Sequence, residues 1–434
     1  MRTIIAGLSV SLLSSAVAFA APEVTFHKDV EPILEKSCQE CHRPGEIGPM
    51  SFLSYESTRP WAKGIKEAVL KGKMPPWPAD PHFGKFANDR SLTKQEIDTL
   101  AAWVDAGAKE GNKADAPKPR TWVDGWNITK PDAIVEMPQS FHMPASGEVE
   151  YQYIVVPTGF TEDKWISAVE IRPSNRTVVH HAVIFIREPG NPWMREAQPG
   201  VPYVPIVKSA GQRFGNTNGG GSDVLTIYTP GMVPDIWKPG QAKQIKAGSD
   251  LIFQMHYTAN GKAGDDHTRI GLVFAKEPPK ERIITTAALS NTFTIPAGDG
   301  NYKAEAVSPV VNDETVISFF PHMHLRGKAF QYEIIYASGE TETVLKVPNW
   351  SLNWQLDYKL AKPIQLHPGD KVKATAWWDN SANNPANPDA TKDVKWGEQS
   401  WEEMMIGFFE VAVDPKITNR TIYSKAKTES AEAQ

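Results

Sequence analysis

Two cysteines are all that the 434-residue chain contains, and both stand in one pentapeptide, Cys38-Gln39-Glu40-Cys41-His42. That spacing suits covalent haem attachment: two thiols add to the haem vinyl groups, and the imidazole next in sequence reaches the iron. A disulfide or half of a zinc site is the plainer alternative, and zinc would need a second Cys or His pair at ligand spacing nearby. A haem held by His42 usually takes a second axial residue, commonly Met or His. Met74, in Lys73-Met74-Pro75-Pro76-Trp77, is the candidate, because two prolines fix the following chain extended. Met50 lies only eight residues past His42, too close to wrap to the opposite haem face, and His82 sits in a polar loop.

Three further histidine signals stand downstream. His322-Met323-His324 ends an apolar run, so strand alternation sends both imidazoles to one face, where they can chelate one ion. His180-His181 are adjacent, and neighbours on a strand point to opposite faces. Both can meet one metal only where the strand ends or bulges. His256, in Gln254-Met255-His256-Tyr257, could supply a third imidazole from a neighbouring strand. Taken singly, each reads more simply as a hydrogen-bonded structural histidine.

Taken in order, His180-His181, His256, His322-x-His324-x-x-Gly327 and Glu402-Glu403-Met404 resemble a known set. They look like the copper type II, ascorbate-dependent monooxygenases, the family of peptidylglycine hydroxylating monooxygenase and dopamine β-monooxygenase, over about residues 121 to 424. The resemblance implies one copper on His180, His181 and His256, and a second on His322, His324 and Met404. Imidazole suits copper in both oxidation states, and a thioether favours Cu(I), the state that must meet O2. It further implies that the first copper stores and passes an electron, and that the second binds O2 and hydroxylates a substrate C–H bond. Peptidylglycine enzymes hold a peptide carboxylate with an arginine before the His-x-His and with Asn and Tyr after the methionine. Phe320, Ile406 and Phe408 occupy those places here. A small apolar or aromatic substrate fits such a lining better than a peptide carboxylate does.

These groups need a scaffold. Residues 21–112 read as a small α-helical c-type cytochrome domain: Val30, Ile33 and Leu34 recur at helical spacing before the cysteines, and Thr93 with Glu96 forms a capping box closed by Gly107. Residues 113–120 read as a polar, proline-containing linker. Short strands then alternate with turns, clearest at 178–186, 250–257, 315–320, 330–336 and 371–378. Pro278-Pro279 divides this region into halves at 121–280 and 281–424, expected as two mainly antiparallel β-sandwich (jelly-roll) domains before a polar tail at 425–434. Residues 1–20 read as a signal peptide, with Arg2, an apolar stretch and Ala18-Phe19-Ala20. The expected location is therefore periplasmic or secreted, with no membrane span.

A formal net charge of −5 carries no basic excess for nucleic acid. The functional expectation is a copper-dependent monooxygenase using O2 and a small molecule, with electrons from a periplasmic donor or ascorbate-like reductant entering through the haem. The other reading is a non-catalytic haem and copper electron-transfer or copper-binding protein.

Overall fold

The computed structural model describes residues 23–122, 125–205 and 223–424. The expected signal peptide, the glycine-rich run at 218–222 and the polar tail lie outside them. Strand dominates after residue 130, and helices gather before residue 110.

The helical portion contains Glu31–Ser37, Tyr55–Thr58, Ala62–Leu70 and Lys94–Asp105. The last begins as its sequence predicts: the Thr93 hydroxyl accepts from the Glu96 N–H, and the Glu96 carboxylate accepts from the Thr93 N–H. Gly107, at φ +91°, stands just past its end, where a left-handed residue costs least as glycine. Apolar faces meet in a small core of Phe26, Val30, Leu34, Phe52, Leu100 and Trp103.

The β body is two sandwiches sewn together. In the first, Gln152–Pro157, Asp250–Tyr257, Val179–Arg187 and Asp223–Tyr228 form one sheet. It shares a core with the strands Lys164–Arg172 and Arg269–Phe274 of the opposing sheet. That opposing sheet does not stop at the proline pair. Gln241–Ile245 pairs in parallel with Glu281–Ser290, and the sheet runs on through Met405–Val413 and Glu314–His322 to Tyr358–Leu366, nine strands among the described residues. A further four-stranded sheet of Tyr302–Pro309, Lys371–Trp378, Gly327–Ile335 and Thr341–Val347 covers the second part.

Val179–Arg187 has no solvent face. Ala182, Ile184 and Ile186 enter the first core, and Val183 and Phe185 enter the second. One strand thus carries histidines to the boundary between the halves. Among the described residues, no helix is long and apolar enough to cross a membrane.

The helical portion is also tied to the β body. Residues 85–87 add to the free edge of Tyr358–Leu366, with Ala87 N–H donating to Lys359 O at 2.7 Å and Ala361 N–H to Lys85 O at 2.9 Å. Trp77 and Phe86 close against the Tyr358 ring, with centroids 5.0 and 5.5 Å away. The segment that sequence alone presents as a polar loop is a strap across a sheet edge.

Candidate metal centre

His180 and His181 reach one place because their strand bulges. The pairing of Val179–Arg187 with Asp250–Tyr257 shifts register between Val179 and His181, which sets His181 opposite His256. An extra residue in a strand turns two successive side chains toward the same side. The His180 and His181 Nδ1 atoms are 3.2 Å apart, and those of His181 and His256 are 3.3 Å apart. Metal–nitrogen bonds of about 2.0 Å meeting at a tetrahedral angle separate their nitrogens by about 3.3 Å, so these two pairs stand at ligand spacing, and the ligand atoms of all three lie within 4.8 Å of one another. Burial holds His181 and His256 well below the ordinary imidazole range, and the neighbouring imidazoles push the same way. Neutral rings present lone pairs, not charge. Ser400 Oγ lies 3.2 Å from His256 Nε2, fixing that ring from its far side.

The second group lies next door. His322 ends its strand, and its ring stands 5.2 Å from that of His324, nearly perpendicular to it. His322 Nδ1 is 2.6 Å from Gln355 Oε1, an oxygen that can only accept, so the ring carries its proton there and leaves Nε2 as the ligand atom. His324 Nδ1 similarly faces the Glu402 carbonyl at 3.3 Å, and its buried Nε2 has no hydrogen-bond partner. Burial carries His322 down to about 4. Met404, 1% exposed, shares with His322 the wall of a small pocket, to which Phe320, Phe408, Tyr151 and His181 also contribute. A soft thioether and a neutral imidazole on one wall are donor types that suit copper.

The two groups are close: the His181 and His322 ring centroids are 5.9 Å apart. Tyr151 stands edge-on to His256 at 4.5 Å, to His181 at 5.4 Å and to His324 at 6.2 Å, and so touches both groups. A neighbouring cavity shares Phe320 and Phe408 and adds Asp235, Asp357 and Glu410; burial pushes Asp357 up to about 7.

Glu403 holds the second group in shape. Its carboxylate accepts from the backbone N–H of His324 at 2.9 Å and of Arg326 at 2.6 Å, and from the Trp378 indole at 2.9 Å. Gly327 lies under the Trp350 ring, where a Cβ would approach within 2.6 Å. Sequence reading missed Tyr151, Gln355 and the role of Glu403. Only the adjacency of Glu403 to Met404 offered a signal.

In the helical portion, Cys38, Cys41 and His42 wrap tightly. Gly48 N–H donates to Cys41 O and Phe52 N–H to His42 O, each at 2.9 Å, and the Phe52 ring stacks on His42 at 4.5 Å. A Cβ on Gly48 would sit 2.6 Å from both Cys41 O and His42 Nδ1, so only glycine fits. His42 Nδ1 faces Met50 O at 3.3 Å, which leaves Nε2 for an axial bond and keeps the Met50 backbone on the Nδ1 side. Both thiols are free, and burial pushes Cys38 up to about 12. Such thiols are not a low-pKa redox pair. These features fit a covalent haem. His82 is largely exposed and paired with Asp80 at 2.7 Å, and Met74 lies partly exposed beyond the Ala62–Leu70 helix.

No protein-family model and no curated protein matches this sequence. Among solved structures, the chain is similar to that of the infectious bursal disease virus Gt strain at 10% identity, covering 69% of this chain and 76% of that one, with a TM-score of 0.18. The tandem CBM22 domain of Paenibacillus barcinonensis Xyn10C is 8% identical, covering 68% and 100%, with a TM-score of 0.14. Likeness at that level carries no functional argument.

Proposed function

We propose that the chain is a copper-dependent monooxygenase of the copper type II, ascorbate-dependent kind, hydroxylating a small substrate that is apolar at its reacting end. In this reading two jelly-roll domains each hold one copper, and an exported c-type cytochrome domain carries a covalent haem as the electron inlet. The observation that carries it is the convergence of three neutral imidazoles across a bulge, wall to wall with a cavity holding His322 and Met404. Bound copper would supply one-electron transfer and O2 activation. The residues do the rest. Gln355 and the Glu402 carbonyl fix which nitrogens of His322 and His324 face the metal. Phe320 and Phe408 exclude water and leave a carboxylate unpaired, which favours an apolar group at the reacting end. On the helical portion, Cys38 and Cys41 would bind the haem and His42 Nε2 its iron, with Met74 as the preferred opposite ligand.

The test is metal and haem content followed by O2 uptake. Two coppers per haem, and O2 consumption that depends on a small apolar or aromatic compound and yields its alcohol, support the reading. Full copper loading with no substrate-dependent O2 uptake across a broad panel would leave the non-catalytic electron-transfer protein in its place.

A further inference from the structure

Resting on the haem and copper reading above, we propose that electrons leave the helical portion at Cys41 and reach His322 through Gly231, Thr229 and Gln355, without passing through the His180, His181 and His256 group. The β body lies against the pentapeptide at Cys41, which lines one pocket with Tyr228 and Gly231. Gly231 has φ +83°, and a Cβ on it would lie 3.5 Å from Cys41 Sγ. Arg90 pins this approach, its Nη1 donating to Gly231 O at 2.8 Å. Two residues earlier, Thr229, only 2% exposed, donates its hydroxyl to Gln355 O at 2.5 Å. The Gln355 amide is oriented by its Nε2, which donates to Leu352 O at 3.2 Å, and so its Oε1 meets His322 Nδ1 at 2.6 Å.

From sulfur to imidazole the route contains one non-bonded approach. The rest is covalent chain and two short buried hydrogen bonds, the links through which electronic coupling decays least. The strap at residues 85–87 makes the approach permanent rather than a diffusive encounter. Each transfer moves one electron and no atom: haem Fe(II) becomes Fe(III), and Cu(II) at the His322 group becomes Cu(I). The reductant of the haem is external. Asn353, on the same turn as Gln355, also bonds toward His180, so the test must separate two destinations.

Flash photoreduction of the haem in the full-length, copper-loaded protein, followed by haem absorbance and by loss of the Cu(II) EPR signal, provides that test. In His256→Ala, which dismantles the three-histidine group, the haem should still be reoxidised, at the wild-type rate, by the remaining copper. Thr229→Val, which keeps shape and removes the hydroxyl, should slow reoxidation several-fold with copper content, haem potential and EPR parameters unchanged. A haem that stays reduced in His256→Ala while copper occupies the His322 group overturns the route, as does a wild-type rate in Thr229→Val. A chain that takes up neither haem nor copper overturns the functional reading itself.

Discussion

Replacing Glu403 tests whether the second ligand group is held by the carboxylate beneath it. Burial pushes this carboxyl up to about 7 against its N–H donors and Arg326, so at about pH 8 it is ionised and accepts from all of them. In Glu403→Ala, the His324 and Arg326 backbone N–H groups and the Trp378 indole lose their acceptor inside the core. An unmet buried donor costs roughly 1–3 kcal/mol, so three, with partial relief by water, should cost roughly 3–6 kcal/mol. Glu403→Gln keeps one oxygen. Facing His324 and Trp378, its amide nitrogen then opposes only the Arg326 N–H, and the loss should be about 1–3 kcal/mol. The assay is urea unfolding of the metal-free protein by tryptophan fluorescence, with copper affinity of the His322 group as a second readout. Because the freed N–H groups belong to the His324 turn, affinity there should fall in both variants, more in Ala. The three-histidine group should keep its copper. Equal midpoints for Ala, Gln and wild type would refute the reasoning, and so would equal loss of affinity at both groups.

Three other perturbations address different joints. Gly48→Ala places a carbon 2.6 Å from Cys41 O and His42 Nδ1, so the ring must move and the fraction of chains carrying covalent haem, read by pyridine haemochrome absorbance, should drop; full occupancy with an unchanged spectrum would contradict the packing. Asn88 accepts from Lys359 N–H at 3.0 Å and donates to Asp357 O at 2.7 Å, so Asn88→Ala should cost about 1–2 kcal/mol and open the strap to proteolysis at lower denaturant. Unaltered cleavage would show that the strap carries no load. Glu314 is buried, which pushes its carboxyl from 4.5 up to about 8, so the folded state holds a proton that the unfolded chain releases. Its contribution to stability is complete below about pH 4.5 and is lost as pH rises through about 8, at about 1.4 kcal/mol per pH unit within that window. Glu314→Gln should flatten that slope in unfolding measured between pH 5 and 8, and an unchanged slope would count against a buried neutral acid.

What a sequence can carry depends on how far away the deciding partner lies. The Thr93 and Glu96 cap is closed within three residues, and it forms as read. Strands at 250–257 and 371–378 match their expected limits, since alternation and turn residues are local. The adjacency of His180 and His181 posed a problem that only a partner strand could solve, because a bulge is a property of the pairing. Residues 85–87 carry no strand signal strong enough to outweigh their polar neighbours, and Phe86 forms its bridge only against an edge far along the chain. Pro278-Pro279 does break the chain, yet the parallel pairing of Gln241 with Glu281 carries one sheet across it.

The same distance argument reaches the site. His256 belongs to the first sandwich, and the Ser400 hydroxyl that fixes its ring comes from the second. Tyr153, on the first, donates to Glu398 on the second at 3.0 Å, and Thr229 donates to Gln355 across the same boundary. Each ligand group is therefore shaped partly by the other half. Copper affinity at one group should depend on the integrity of the opposite sandwich even when its own ligands are intact. A Ser400→Ala change breaks one such bond without touching a ligand. A fall in copper affinity at the three-histidine group in Ser400→Ala, with the His322 group unaffected, is the result this arrangement requires, and unchanged affinity at both would mean that the halves merely abut.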